Sequence, residues 1–182
     1  MPISRLALVL ASAAFAIHGA AHATVTTARS TPTEGKQCKT VSHDRETGDT
    51  VKRCPGVNGY SLLVHNSDDR ASISILTNDG TALPLNFWDT VTPTFSTLGA
   101  KVEWQIESTT GANKPVAIIV RVNTVDQADV SKPRPVSFTV VARILPGDAC
   151  VIGKISAQKS NAERAARALA RTPDAKCIPQ IR

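Results

Sequence analysis

The chain has 182 residues, with 21 Lys and Arg against 15 Asp and Glu, four Cys, and 42% hydrophobic but only 4% aromatic residues. That length suits a single domain. No apolar run approaches the roughly 20 residues of a membrane-spanning helix, and the apolar content is too high for a wholly disordered chain. The net charge of +6 raises the question of an anionic partner, which depends on where the charge sits.

Residues 1–23, MPISRLALVLASAAFAIHGAAHA, place Arg5 before an apolar stretch over 6–17 and end on the small-x-small tripeptide Ala21-His22-Ala23. This three-part pattern predicts a secretory signal peptide cleaved between Ala23 and Thr24. An anchor helix is the alternative, but the apolar run is short and no basic cluster follows it. The Ala-rich middle points to bacterial export, into the periplasm or the medium. Cleavage would leave 159 residues, enough for one core. Residues 24–37, opening TVTTARSTPTEG, are small and polar and are expected to form a flexible segment before a single disulfide-stapled domain over 38–182.

Cys38, Cys54, Cys150 and Cys177 all lie beyond the signal. An even count in an exported chain predicts two disulfides, and four cysteines allow three pairings. Local reading favours Cys38 with Cys54, at the two ends of a β-leaning hairpin turning at residues 43–49. Cys150 with Cys177 would then tie a strand end to the tail after a helix. There is no C-x-x-C and no Cys–His spacing of a zinc finger, so the cysteines read as structural and no metal is expected.

Beyond the hairpin, 60–65 (YSLLVH) and 70–77 (RASISILT) predict strands about a turn at Asn66-Ser67-Asp68-Asp69; Ala71, Ile73 and Ile75 alternate with Ser72 and Ser74. Asn78-Asp79-Gly80 predicts another hairpin turn. Residues 86–99, NFWDTVTPTFSTLG, have no clean period and predict a loop or bent edge segment. Val102, Trp104 and Ile106 alternate in a strand over 101–107. The stretch 115–122 (PVAIIVRV) is apolar on both faces up to Arg121, the mark of a central strand. Further strands are expected over 136–145 and, after the Pro146-Gly147-Asp148 turn, over 150–155. The period then changes: Ser160 and Glu163 have capping-box spacing before a helix whose Ala162, Ala165, Ala166 and Leu169 form an apolar stripe, ended by Pro173. Seven or eight short strands and one late helix predict a mainly β fold, an antiparallel sandwich or partly closed barrel with a C-terminal helix.

Candidate chemistry is sparse. His65 with Asp68 or Asp69 is the best set for a small hydrolase, although no G-x-S-x-G is present and an ordinary surface histidine at a turn is the favoured reading. No phosphate-binding glycine motif occurs, so no nucleotide cofactor is expected. The charge is asymmetric. Residues 24–153 carry 13 basic and 13 acidic side chains, and 154–182 carry seven against two. Arg164, Arg167 and Arg171 share one helical face, pointing to an acidic protein or an anionic envelope surface, or to no more than a solvated face. No aromatic accompanies them to stack bases, so nucleic acid is not expected. Phe87, Trp88 and Phe95 are candidate anchors for a partner, with burial in the core as the alternative.

The run Cys54-Pro55-Gly56-Val57-Asn58-Gly59-Tyr60, separated from Cys38 by 15 intervening residues and followed by a strand and Asp69-Arg70-Ala71-Ser72, resembles a pattern in small exported alphaproteobacterial proteins. The likeness covers about residues 38–75, with Cys150 and Cys177 similarly arranged, and it implies export and disulfides but no activity. Lysozyme inhibitors offer an analogy of architecture, with no matching inhibitory loop here. The sequence therefore predicts an exported, non-enzymatic binding protein of the cell envelope, with a His65 hydrolase or an inhibitor of a host or competitor hydrolase as alternatives.

Overall fold

The computed structural model describes residues 25–129 and 131–181; the expected signal peptide and its cleavage site lie outside them. In chain order the elements are β1 (Val25–Pro32), β2 (Lys39–His43), β3 (Thr50–Pro55), β4 (Ser61–Ser67), β5 (Arg70–Leu76), β6 (Ala82–Pro84), α1 (Phe87–Thr90), β7 (Ser96–Thr109), β8 (Ala112–Asp126), β9 (Arg134–Leu145), β10 (Asp148–Ser156) and α2 (Ala162–Ala170). The fold is mainly β with a C-terminal helix, as expected from the alternating periods.

One sheet runs β10-β9-β8-β7-β5-β4-β3-β2, with β1 added on β7 and β6 on β5. Its two ends do not pair, so it is not a closed barrel. Nor is it purely antiparallel: β5 and β7 run parallel, joined through the single register pair Arg70↔Ser96. At that narrow junction the sheet folds over. Leu62, Ile73, Ile75 and Leu83 from one half share a buried cluster with Val102, Trp104, Ile118, Val120 and Val140 from the other. The period of two explains this, since alternate side chains of both halves face one common core.

The opposite face of β8 and β9 is also covered. Ala117, Ile119 and Val141 form a second cluster with Ile152 of β10 and with Ala166 and Ala170 of α2. The doubly apolar run in β8 is thus explained by two layers, a core beneath and a helix above. Gly153 lies under the helix, and a Cβ there would stand 2.3 Å from Leu169 Cδ2, so any larger residue would have to displace that methyl group. The helix begins one residue later than the capping-box spacing suggests. Asn161 is the N-cap and no side chain caps it, so the expected Ser160–Glu163 box does not form, and Glu163 instead lies near Arg167.

The flexible segment expected over 24–37 is corrected by the structure: most of it is β1. Thr-rich sequence suits a strand, and β1 pairs in register with β7 from Val25↔Ser108 to Pro32↔Lys101. Its docking rests on main-chain bonds and on one side chain, Thr31, whose Oγ1 accepts the indole N–H of buried Trp104 at 2.8 Å. A fully buried Trp needs such a partner, and a segment without large apolar residues can supply it. The stretch 86–99 is likewise resolved into α1 and the start of β7.

Both disulfides form as expected. Cys38–Cys54 closes the β2–β3 hairpin and Cys150–Cys177 holds the tail to β10. The second has an architectural consequence. Ile178 N–H donates to the Val151 carbonyl and Ile181 N–H to that of Asp89, while Arg143 donates to the Pro173 and Thr172 carbonyls. The tail therefore runs from the outer edge of β10 toward α1, covering an edge that would otherwise be open for pairing.

Candidate functional site

The β4–β5 turn brings His65, Asp68 and Asp69 close in sequence but gives them separate tasks. Asp68 and Asp69 have φ of 51° and 53°, and with Ser67↔Arg70 as the flanking pair they form the two-residue turn that suits a right-twisted hairpin. The Asp49 carboxylate caps it, accepting from Ser67 Oγ at 2.8 Å and from Asp68 N–H at 3.2 Å. Asp68 pairs with Arg70 at 3.2 Å. His65 bonds elsewhere: its Nε2 lies 2.9 Å from Ser74 Oγ. Leu62 and Val64 pack on the core, so alternation puts the imidazole on the other face of β4, and burial pushes its pKa below the ordinary value. Ser74 is itself buried. Among the described residues His65 meets a hydroxyl without a carboxylate to orient the ring, and the nucleophile–base–orienter arrangement of a hydrolase is not assembled around it.

The arginine face divides as well. Arg164 and Arg171 are exposed, whereas Arg167 is half-buried. Its Nε and Nη2 donate to Glu103 Oε1 and Oε2 at 2.8 and 2.7 Å. This two-pronged bond holds the Glu103 carboxyl below its usual range, ahead of the opposing effect of burial, and raises the Arg167 guanidinium. Glu103 Oε1 also accepts from Nε2 of Gln105, a fully buried residue whose Oε1 has no partner. Arg167 is thus a clasp between α2 and β7 rather than a free cation, a role invisible in helical spacing because Glu103 is 64 residues away. Glu103 and Arg167 border a cavity of about 290 Å³ beneath the helix.

The aromatic trio separates by burial. Phe87 is fully buried in the core, and Trp88 is half-buried. Phe95 is 57% exposed, the one exposed aromatic side chain among the described residues. It lies at the β5–β7 junction, where the two halves of the sheet part and leave a cavity of about 660 Å³. The wall comes from β3, β4 and β5 on one side and from β7 and β8 on the other, with Val64, Ala71, Leu98 and Val125 as its apolar part. Below Phe95, Thr124 Oγ1 bonds the Phe95 carbonyl at 2.9 Å and Thr94 Oγ1 at 2.7 Å. Ser96 Oγ accepts from Ala71 N–H at 3.1 Å. These bonds fix the backbone that presents the ring. The cavity was not legible in the sequence, since it arises where β5 and β7 diverge after one shared pair.

Among the described residues no group of three or more His, Cys, Asp or Glu gathers in a way that could hold a metal ion, and no helix is long and apolar enough to cross a membrane. Family models, curated proteins and solved structures offer no match to this chain.

Proposed function

We propose that the protein is an exported, non-enzymatic binding protein of the bacterial cell envelope that takes its ligand in the cavity beside Phe95. The observation that carries this reading is the exposure of Phe95 at the rim of a cavity whose volume falls in the range of about 300–1,000 Å³ common for ligand sites. A chain so poor in aromatics leaves one large ring in water while burying Phe87 and Trp104. The signal-like residues 1–23 and the two disulfides support export into an oxidising compartment. The test is retention of envelope components by the purified, disulfide-bonded protein and by its Phe95→Ala variant. A component held by the parent and released by the variant, with unchanged melting temperature, is the expected result. Retention indifferent to Phe95→Ala would refute it.

A second reading, an acidic surface as partner, rests on Arg164 and Arg171, which stay exposed on α2. It predicts salt-sensitive binding to anionic vesicles that Arg164→Glu with Arg171→Glu abolishes.

A further inference from the structure

Two kinds of side chain border the cavity beside Phe95. Some have their hydrogen bonds met within the protein and make a rigid wall, such as Thr33, whose Oγ1 donates to the Gly99 carbonyl at 2.6 Å, and Ser96 and Thr124. Others have free capacity. Glu34, Thr50, Lys52, Asn66 and Asp69 line the same cavity, and their side chains make no hydrogen bond or ion pair with another described residue.

The chemistry of that free set restricts what could sit there. Two carboxylates stand against one ammonium, so a phosphate or sulfate group would meet net repulsion. Two carboxylates alone fall short of the six to eight oxygens that a calcium ion takes. What remains is a rim that both donates and accepts: Asn66 amide and Thr50 hydroxyl can do either, Lys52 only donates, and Glu34 and Asp69 only accept. Phe95 adds one apolar ring face, and Val64, Ala71 and Leu98 an apolar floor. A pyranose has this same duality. One face of the ring is lined by C–H groups, and the edge carries uncharged hydroxyls that both donate and accept.

We infer that the cavity is a carbohydrate site for a neutral oligosaccharide, the sugar's C–H face lying on Phe95 and its hydroxyls meeting Asn66, Thr50, Glu34 and Asp69. This deepens the proposed binding role of the same cavity and rests on it. The test titrates the purified, disulfide-bonded protein with cellotetraose, with the β-1,4 tetramer of N-acetylglucosamine, with tetra-alanine and with inorganic phosphate, read by saturation-transfer NMR and calorimetry. Saturable binding of one or both oligosaccharides, weakened about tenfold or more by Phe95→Ala and by Asn66→Ala, is the expected result. Because Phe95 is exposed, its truncation leaves the fold in place, and an unchanged melting temperature checks this. Failure of both oligosaccharides to bind at millimolar concentration, or preference for tetra-alanine or phosphate, overturns the sugar assignment. If Phe95-dependent retention of an envelope component survives that failure, the cavity is a binding site for another chemistry; if it too is absent, both readings fall.

Discussion

Truncating Glu103 to Ala should destabilise the protein more than truncating its partner Arg167, although each change removes the same ion pair. Hydrogen bonds to charged groups contribute about 1.5–3 kcal/mol. The Arg167 side chain is 43% exposed, and solvent screening brings its loss down to about 1 kcal/mol. Glu103 then keeps Gln105 as a partner. Glu103→Ala loses the pair and also strips Gln105 Nε2 of its acceptor. Gln105 is fully buried and its Oε1 is already unpartnered, so a second orphan in that amide adds about 1–3 kcal/mol. The expected costs are about 1 kcal/mol for Arg167→Ala and about 2–4 kcal/mol for Glu103→Ala, with a coupling near 1 kcal/mol in the double-mutant cycle. Urea unfolding at neutral pH measures all four corners of the cycle. The pH dependence has a definite sign. The folded carboxyl sits below its ordinary value of 4.5, so the pair's contribution is complete above that value and is lost as pH falls through the lowered folded pKa. Equal costs for the two single variants, with no coupling, would refute the clasp and leave a surface ion pair.

The other predictions address the helix, the tail and His65. Gly153→Ala should cost about 1–2 kcal/mol by driving Leu169 out of place, and a Leu169→Ala background should remove most of that penalty in thermal melts; an additive double variant would show that the new methyl group does not meet Leu169. Cys177→Ser opens a loop spanning 27 residues, worth about 3–4 kcal/mol on the chain-entropy model, and hydrogen exchange at Ile178 should accelerate sharply because the tail leaves β10. Unchanged protection there would show that the tail docks without its disulfide. Burial lowers the folded pKa of His65 from 6.5, so the unfolded chain binds more protons in the window below that value. Stability should therefore be full above 6.5 and decline as pH falls beneath it, and His65→Gln should flatten that decline; identical profiles would contradict the burial.

Local patterns were reliable wherever one neighbour decides the outcome. The Pro146-Gly147 turn joins β9 to β10 with Gly147 at φ 73°, and Asp68-Asp69 turns β4 into β5. Cys38 and Cys54 meet because a hairpin returns the chain to its start. β1 reads as a flexible segment because its sequence has no apolar face, and its stability comes from the free edge of β7 and from one indole that needs an acceptor. Phe87 and Phe95, eight residues apart in one irregular segment, gave no local sign of which would be buried. Arg167 shared a helical face with Arg164 and Arg171, and only Glu103, reaching it from β7, set it apart.

By itself the sequence determined the mainly β class, the turns and the late helix, and favoured one disulfide pairing of three, because hydrophobic period, turn chemistry and short loops are encoded between near neighbours. Only the tertiary structure decided how the sheet folds over at Arg70↔Ser96, which arginine is bound, which phenylalanine meets water, and that a cavity opens beside it. Those outcomes depend on groups brought together from 26 or more residues apart, where pairing and packing geometry, not local propensity, select the neighbour.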